Sequence, residues 1–168
     1  MKRPTAWLAL ASLAAPLALA DDPPVIEHQP VPCTIAGKAI SLCANVTDDG
    51  QVAKARIYFR AAGEQYYSFV DMVFLGLKHC GTVPAPREGA VKAIEYYVQA
   101  IDDQYQPARL STYQMNLQPE GVCEFPPLET DRSRAAAITV YATHKKQGKK
   151  LSDAFDASGV TFVPITSK

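Results

Sequence analysis

The sequence predicts an all-β chain, a sandwich or barrel of short antiparallel strands, and three observations carry that expectation. Seven runs of alternating apolar and polar residues follow one another within about 100 residues, at spacings of about 8–12 with turn residues between them. No run with helical period interrupts them, which argues against a crossover α/β topology. Four cysteines, Cys33, Cys43, Cys80 and Cys123, all follow an apolar leader, and an even count behind an export signal implies disulfides rather than free thiols.

The leader comes first. Lys2 and Arg3 precede the apolar run AWLALASLAAPLALA, which ends on Ala18 and Ala20. A basic head, an apolar stretch and a small-x-small ending are the signature of a signal peptide over residues 1–20, with cleavage expected after Ala20. Pro16 interrupts the run, and a spanning helix needs about 20 apolar residues, so a membrane anchor is the weaker reading. Residue 21 is Asp, not Cys, so the mature end offers no thiol for a lipid. The expectation is a periplasmic or secreted protein without a membrane span.

Residues 21–123 carry the strand pattern. Pro23, Pro24, Pro30 and Pro32 surround an edge strand at about 25–31, where proline is tolerated. In the run at 39–47, Ile40, Leu42, Ala44 and Val46 alternate with Ser41, Cys43 and Asn45. Asp48, Asp49 and Gly50 turn the chain, Asp-Gly being tolerant of the positive φ of tight turns. At 52–60, Ala53, Ala55, Ile57 and Phe59 share a face opposite Lys54, Arg56, Tyr58 and Arg60. Strands at 66–74 and 75–83 follow, the second with Leu77, His79, Gly81 and Val83 on one face. At 92–101, Ile94, Tyr96, Val98 and Ala100 face away from Glu95, Tyr97 and Gln99; a last strand covers 109–117. Residues 124–168 read as a C-terminal extension, a β-hairpin or docking tail: AAAITVYAT is a strand by its β-branched Ile138, Thr139 and Val140, or the start of a helix capped by Thr130 or Asp131, and VTFVPI closes as a strand.

Composition narrows function. Formal charge is zero overall, with 8 Lys and Arg against 13 Asp and Glu in residues 21–128 and 7 against 4 in residues 129–168, so nothing favours nucleic acid. There is no Gly-x-Ser-x-Gly elbow, no His-Glu-x-x-His and no Cys-x-x-Cys, and no enzyme or cofactor is expected. Asp48, Asp49, Asp102 and Asp103 are read as turn formers, with Ca²⁺ binding as the alternative and no metal ligand assigned. Lys145, Lys146, Lys149 and Lys150 make a solvated basic loop, or a docking point for an acidic partner.

PPVIEHQPV, GKAISLCANVTDDG, YFRAAGEQYYSFVDM, VPAP and AIEYYVQAIDD together resemble the bacterial immunoglobulin-like domains of the fibronectin type III kind over roughly residues 23–117. That resemblance implies a seven-stranded antiparallel sandwich, a core position for Tyr96 and a recognition or spacer role in an exported protein. The four cysteines depart from the many such domains that have none. In that topology the strand at 39–47 pairs with the strand at 75–83, which favours Cys43–Cys80 and leaves Cys33–Cys123; the alternative is Cys33–Cys43 with Cys80–Cys123. Tyr58, Arg56 and Tyr97 then lie on an outer sheet as the expected contact face, with Val160–Ile165 as a second, by strand addition. The functional expectation is a non-catalytic module that binds another envelope protein. The alternative is a carbohydrate-binding module that stacks sugars on exposed tyrosines.

Overall fold

The computed structural model describes residues 21–123 and 137–166. The signal peptide expected over 1–20 and the connector near 124–136 lie outside the described residues. The described chain is all-β, its one helical element being a single 3-10 turn at Lys145–Gln147. The strands are β1 (Val25–Glu27), β2 (Cys33–Thr34), β3 (Ile40–Thr47), β4 (Val52–Ala61), β5 (Ser68–Asp71) and β6 (Val73–Phe74). They continue as β7 (His79–Val83), β8 (Ala93–Asp102), β9 (Pro107–Arg109), β10 (Tyr113–Leu117), β11 (Ile138–Ala142) and β12 (Val160–Val163).

Two sheets form. The smaller has the order β1-β3-β7-β6; the larger runs β12-β11-β5-β4-β8-β10-β2, with β9 also on β8. Alternation builds the interior between them. β3 contributes Ile40, Leu42, Ala44 and Val46; β4 contributes Ala55, Ile57 and Phe59; β8 contributes Ile94, Tyr96, Val98 and Ala100. Each strand buries one face of its pleat, as a period of two requires.

Two of the seven expected strands are each split in two, and a short further strand, β2, forms beyond the first, so ten strands occupy residues 21–123. Pro30 and Pro32 end the first, and the chain then crosses sheets: β1 pairs antiparallel with β3, while β2 pairs parallel with β10. The run at 66–74 starts in the larger sheet as β5 and ends in the smaller as β6. The run at 109–117 divides into β9 and β10, each paired with a different part of β8. The larger sheet is therefore mixed, while the smaller is wholly antiparallel. Two face assignments also change. A bulge between Val52 and Lys54 throws Ala53 outward. The strand expected from residue 75 begins only at His79, because Leu75 N–H bonds the Lys78 carbonyl around Gly76 at φ +88°; Leu77 is consequently 85% exposed.

The bridges formed are Cys33–Cys123 and Cys43–Cys80, the first of the two pairings weighed above. Cys43 and Cys80 face each other across β3 and β7, with Cα atoms 4.1 Å apart. Tyr96 is fully buried, and its hydroxyl is satisfied on both sides. Cys43 O can only accept, so the His28 Nδ1 at 2.8 Å carries the proton. His28 Nε2 then accepts from the Tyr96 hydroxyl, whose oxygen accepts the Val31 N–H, each at 2.9 Å.

The C-terminal strands extend the protein's own larger sheet. β11 pairs antiparallel with β5, and β12 pairs parallel with β11, so the two are not a hairpin. Val140, Leu151 and Phe155 enter the common core, Phe155 meeting Phe59 edge-on at 5.1 Å. Backbone bonds from Arg87 N to Ala154 O and from Asp156 N to Ala85 O close the segment down.

Candidate functional site

The outer face of the larger sheet is built by register. Tyr141 lies opposite Phe69, Phe69 opposite Tyr58, and Tyr58 opposite Tyr97, across four neighbouring strands. Directly opposed side chains on one face lie within contact distance, and here the rings form one row. Centroid distances are 4.9 Å for Tyr141–Phe69, 5.3 Å for Phe69–Tyr58 and 4.7 Å for Tyr58–Tyr97. Guanidinium groups lie on it: Arg56 over Phe69 at 4.3 Å, Arg60 over Tyr67 at 4.3 Å and Arg109 over Tyr97 at 3.7 Å. Arg56 also pairs with Asp71, and Arg60 with Glu95.

The three residues expected to form a contact face therefore stand together, in unequal positions. Tyr58 and Arg56 are half-buried, but Tyr97 is only 8% exposed. Tyr58 stacks on it, Tyr67 meets it at 5.1 Å, and Arg109 covers it. Burial raises the Tyr97 phenol above its ordinary value, against the lowering effect of Arg109. Tyr97 faces outward as alternation requires, yet its neighbours fold over it. An apolar residue beside long arginines on a pleated sheet is covered by them.

A second surface lies where the chain crosses from β5 to β6. Val73, Phe74, Leu75 and Leu77 are 63%, 57%, 47% and 85% exposed. Two of them, Val73 and Leu75, line a cleft of about 440 Å³ between β6–β7 and β11, together with Val70, Ile138, Thr139 and Tyr141 among others. The sequence reading missed it because Leu75 and Leu77 fitted an alternating strand. The signal was Gly76: a glycine between two leucines is a break as well as a strand position. The other expected contact, Val160–Ile165, is the outer strand of the larger sheet and the coil after it; Val163 and Ile165 are 38% and 41% exposed, and β12 pairs on one side with β11.

A third feature is the loop end after β3 and β8. Asp48 and Gly50 come from the first turn, Asp102 and Asp103 from the second. Asp21 is brought to them by Gln106, whose amide donates to the Asp21 carbonyl at 2.8 Å and carboxylate at 2.9 Å. Carboxylate oxygens of Asp21, Asp102 and Asp103 lie within 4.8 Å of one another. Asp21 went unnoticed in the sequence because it lies 81 positions before Asp102, and only the fold joins them. Gly50 is not among the residues of positive φ, so the turn does not require a glycine for that reason. Around the basic loop, His144 caps the 3-10 turn and Lys150 pairs with Asp153.

No family model matches the chain, and no curated protein matches it. Among solved structures, the SrpA adhesin from Streptococcus sanguinis is similar at 17% identity, over 61% of this chain and 60% of that one, with a TM-score of 0.38. Among the described residues, no helix is long and apolar enough to cross a membrane. Two disulfides belong to an oxidising, extracytoplasmic setting.

Proposed function

We propose that this chain is an exported, non-catalytic binding module that docks another protein of the cell envelope through the apolar edge at Val73–Leu77. One observation carries the reading. Four large apolar side chains within five residues stand in solvent, and two of them, Val73 and Leu75, line an apolar cleft. Contiguous exposed hydrocarbon of this kind marks interaction surfaces, and anchors that insert into a partner dominate binding energy. The immunoglobulin-like, fibronectin type III-like resemblance and the leader at 1–20 support the exported setting. Tyr58 and Arg56 form a polar, aromatic neighbour to this edge rather than its centre.

The alternative is a carbohydrate-binding module that stacks sugars on exposed tyrosines; of these, Tyr97 is packed under Tyr58, Tyr67 and Arg109. A sugar would have to displace those contacts first.

The test is cross-linking capture from the envelope with the tagged protein. Leu77→Glu is expected to abolish capture of the partner that the wild type takes, while Tyr58→Ala keeps it. Equal capture by Leu77→Glu and wild type contradicts the reading, and glycan binding lost in Tyr97→Ala turns it to the carbohydrate class.

A further inference from the structure

The loop end at Asp21, Asp48, Asp102 and Asp103 contains carboxylates that the rest of the protein does not neutralise. Asp102 is 0% exposed. Its Oδ1 accepts the Gln106 N–H at 2.7 Å, and its Oδ2 has no hydrogen-bond partner. Asp48 repeats the arrangement: Oδ2 accepts Gly50 N–H at 3.0 Å, and Oδ1 is sealed from solvent without a partner. No ion pair among the described residues engages any of the four aspartates. A buried carboxylate with an idle oxygen is strongly unfavourable unless a cation compensates it.

Three of the four carboxylates also border Gly50. A Cβ placed on Gly50 would lie 3.3 Å from Asp48 Oδ2, 3.4 Å from Asp103 Oδ1 and 3.9 Å from Asp21 Oδ1. Since Gly50 has no positive φ, what the glycine supplies is room beside three carboxylates.

We propose that Asp21, Asp102 and Asp103, whose carboxylate oxygens lie within 4.8 Å of one another, bind a calcium ion, with Asp48 at the adjoining edge beside Gly50. The donors are all hard oxygens, with no imidazole or thiolate among them, which argues against zinc or copper. They come from three separate segments, Asp102 at the end of β8 and the others in coil or turns. Calcium takes six to eight oxygens in flexible geometry, whereas magnesium demands a near-ideal octahedron. Water would complete the shell. The site ties the start of the described chain to the turns after β3 and β8, so ion binding would stiffen this end of the sandwich.

The test is calorimetric titration of CaCl₂ into chelator-stripped protein, paired with thermal melts in EDTA and in calcium at about 5 mM. That concentration exceeds the dissociation constants of about 10⁻⁴–10⁻³ M usual in extracellular modules. The wild type is expected to show a single-site isotherm and a higher melting temperature in calcium, and magnesium is expected to substitute poorly. Asp103→Asn, an exposed position that folding tolerates, should weaken binding about 10-fold or more. Asp102→Asn removes the repulsion, so it should melt at or above the wild type in EDTA and gain nothing from calcium. Equal melting temperatures with and without calcium overturn the proposal, whether in the full chain or in the form beginning at Asp21. So does an unchanged calcium response in Asp103→Asn.

Discussion

Asp102 is a carboxylate with no exposure, and Leu77 is a leucine that is 85% exposed. The turn end around Asp102 encloses charge without neutralising it, and the edge around Leu77 shows hydrocarbon to water without covering it. Between them, the sandwich follows the ordinary rules. Tyr96 is buried with both hydroxyl roles satisfied, and Arg56 and Arg60 lie over rings while pairing with carboxylates. Departures from self-sufficiency in an otherwise consistent fold are where an outside partner is expected. The two departures differ in kind, so they call for different partners: a cation at one, an apolar surface at the other.

The comparison breaks if the rest of the molecule is not the close-packed body it is taken to be. Phe155→Ala is the severest check. The side chain is 1% exposed and meets Phe59 edge-on, so its removal should cost about 3–5 kcal/mol in urea unfolding. A loss under 1 kcal/mol would mean that the C-terminal segment is only laid against the sandwich. For the same reason, deleting residues 137–168 is expected to destabilise the whole sandwich, not to free an intact one.

Next in size are the bridges. Replacing either cysteine pair with alanine should cost about 2–5 kcal/mol by restoring freedom to the unfolded chain. Cys33–Cys123 closes 90 positions against 37 for Cys43–Cys80, so its loss should be slightly the larger by the same measurement.

The pH response is smaller and has a definite sign. Burial holds the His28 imidazole below its ordinary value, opposed by the hydrogen bond to Cys43 O, and burial lowers His79 as well. Below about pH 6.5 the unfolded chain takes up protons that these two folded side chains resist, so stability falls on acidification. Burial pushes the Tyr96 phenol up to about 12, against the lowering effect of the Val31 N–H. The folded chain therefore keeps a proton that the unfolded chain sheds above pH 10, and stability falls again there. Thermal melts from pH 4 to 11 should show a plateau between these limits, and His28→Gln with His79→Gln should flatten the acid side.

The smallest effect sharpens the comparison most. Leu77→Ser should change stability by no more than about 0.5 kcal/mol, because an exposed turn side chain makes little contact. Set beside Phe155→Ala, it separates apolar residues that hold the fold from those left for something else.

Much of the fold was legible because burial in a pleated sheet has a period of two. β3, β8 and, beyond the bulge at Ala53, β4 bury the faces their alternation marks, and the strand order brings Cys43 opposite Cys80. Alternation carries no information about which sheet a strand joins, so the crossings at Pro32 and Met72 and the parallel pairings of β2 and β12 were not readable. It also mistook a turn for a strand at Leu75–Lys78, hiding the apolar edge. Tyr97 was placed on the right face, but cover by Arg109 depends on cross-strand register, which a single run does not encode. The acidic end was half visible: four aspartates stood in two turns, while Asp21 and the space beside Gly50 required the folded chain.

The most direct measurement is site-specific photo-crosslinking in the intact envelope, with a benzophenone side chain at position 77 and, as control, at position 105. Tyr105 is 87% exposed, as open as Leu77 but outside the apolar edge. The account predicts one discrete protein adduct from position 77 and none from position 105. Adducts from both positions alike, or from position 105 alone, would contradict it.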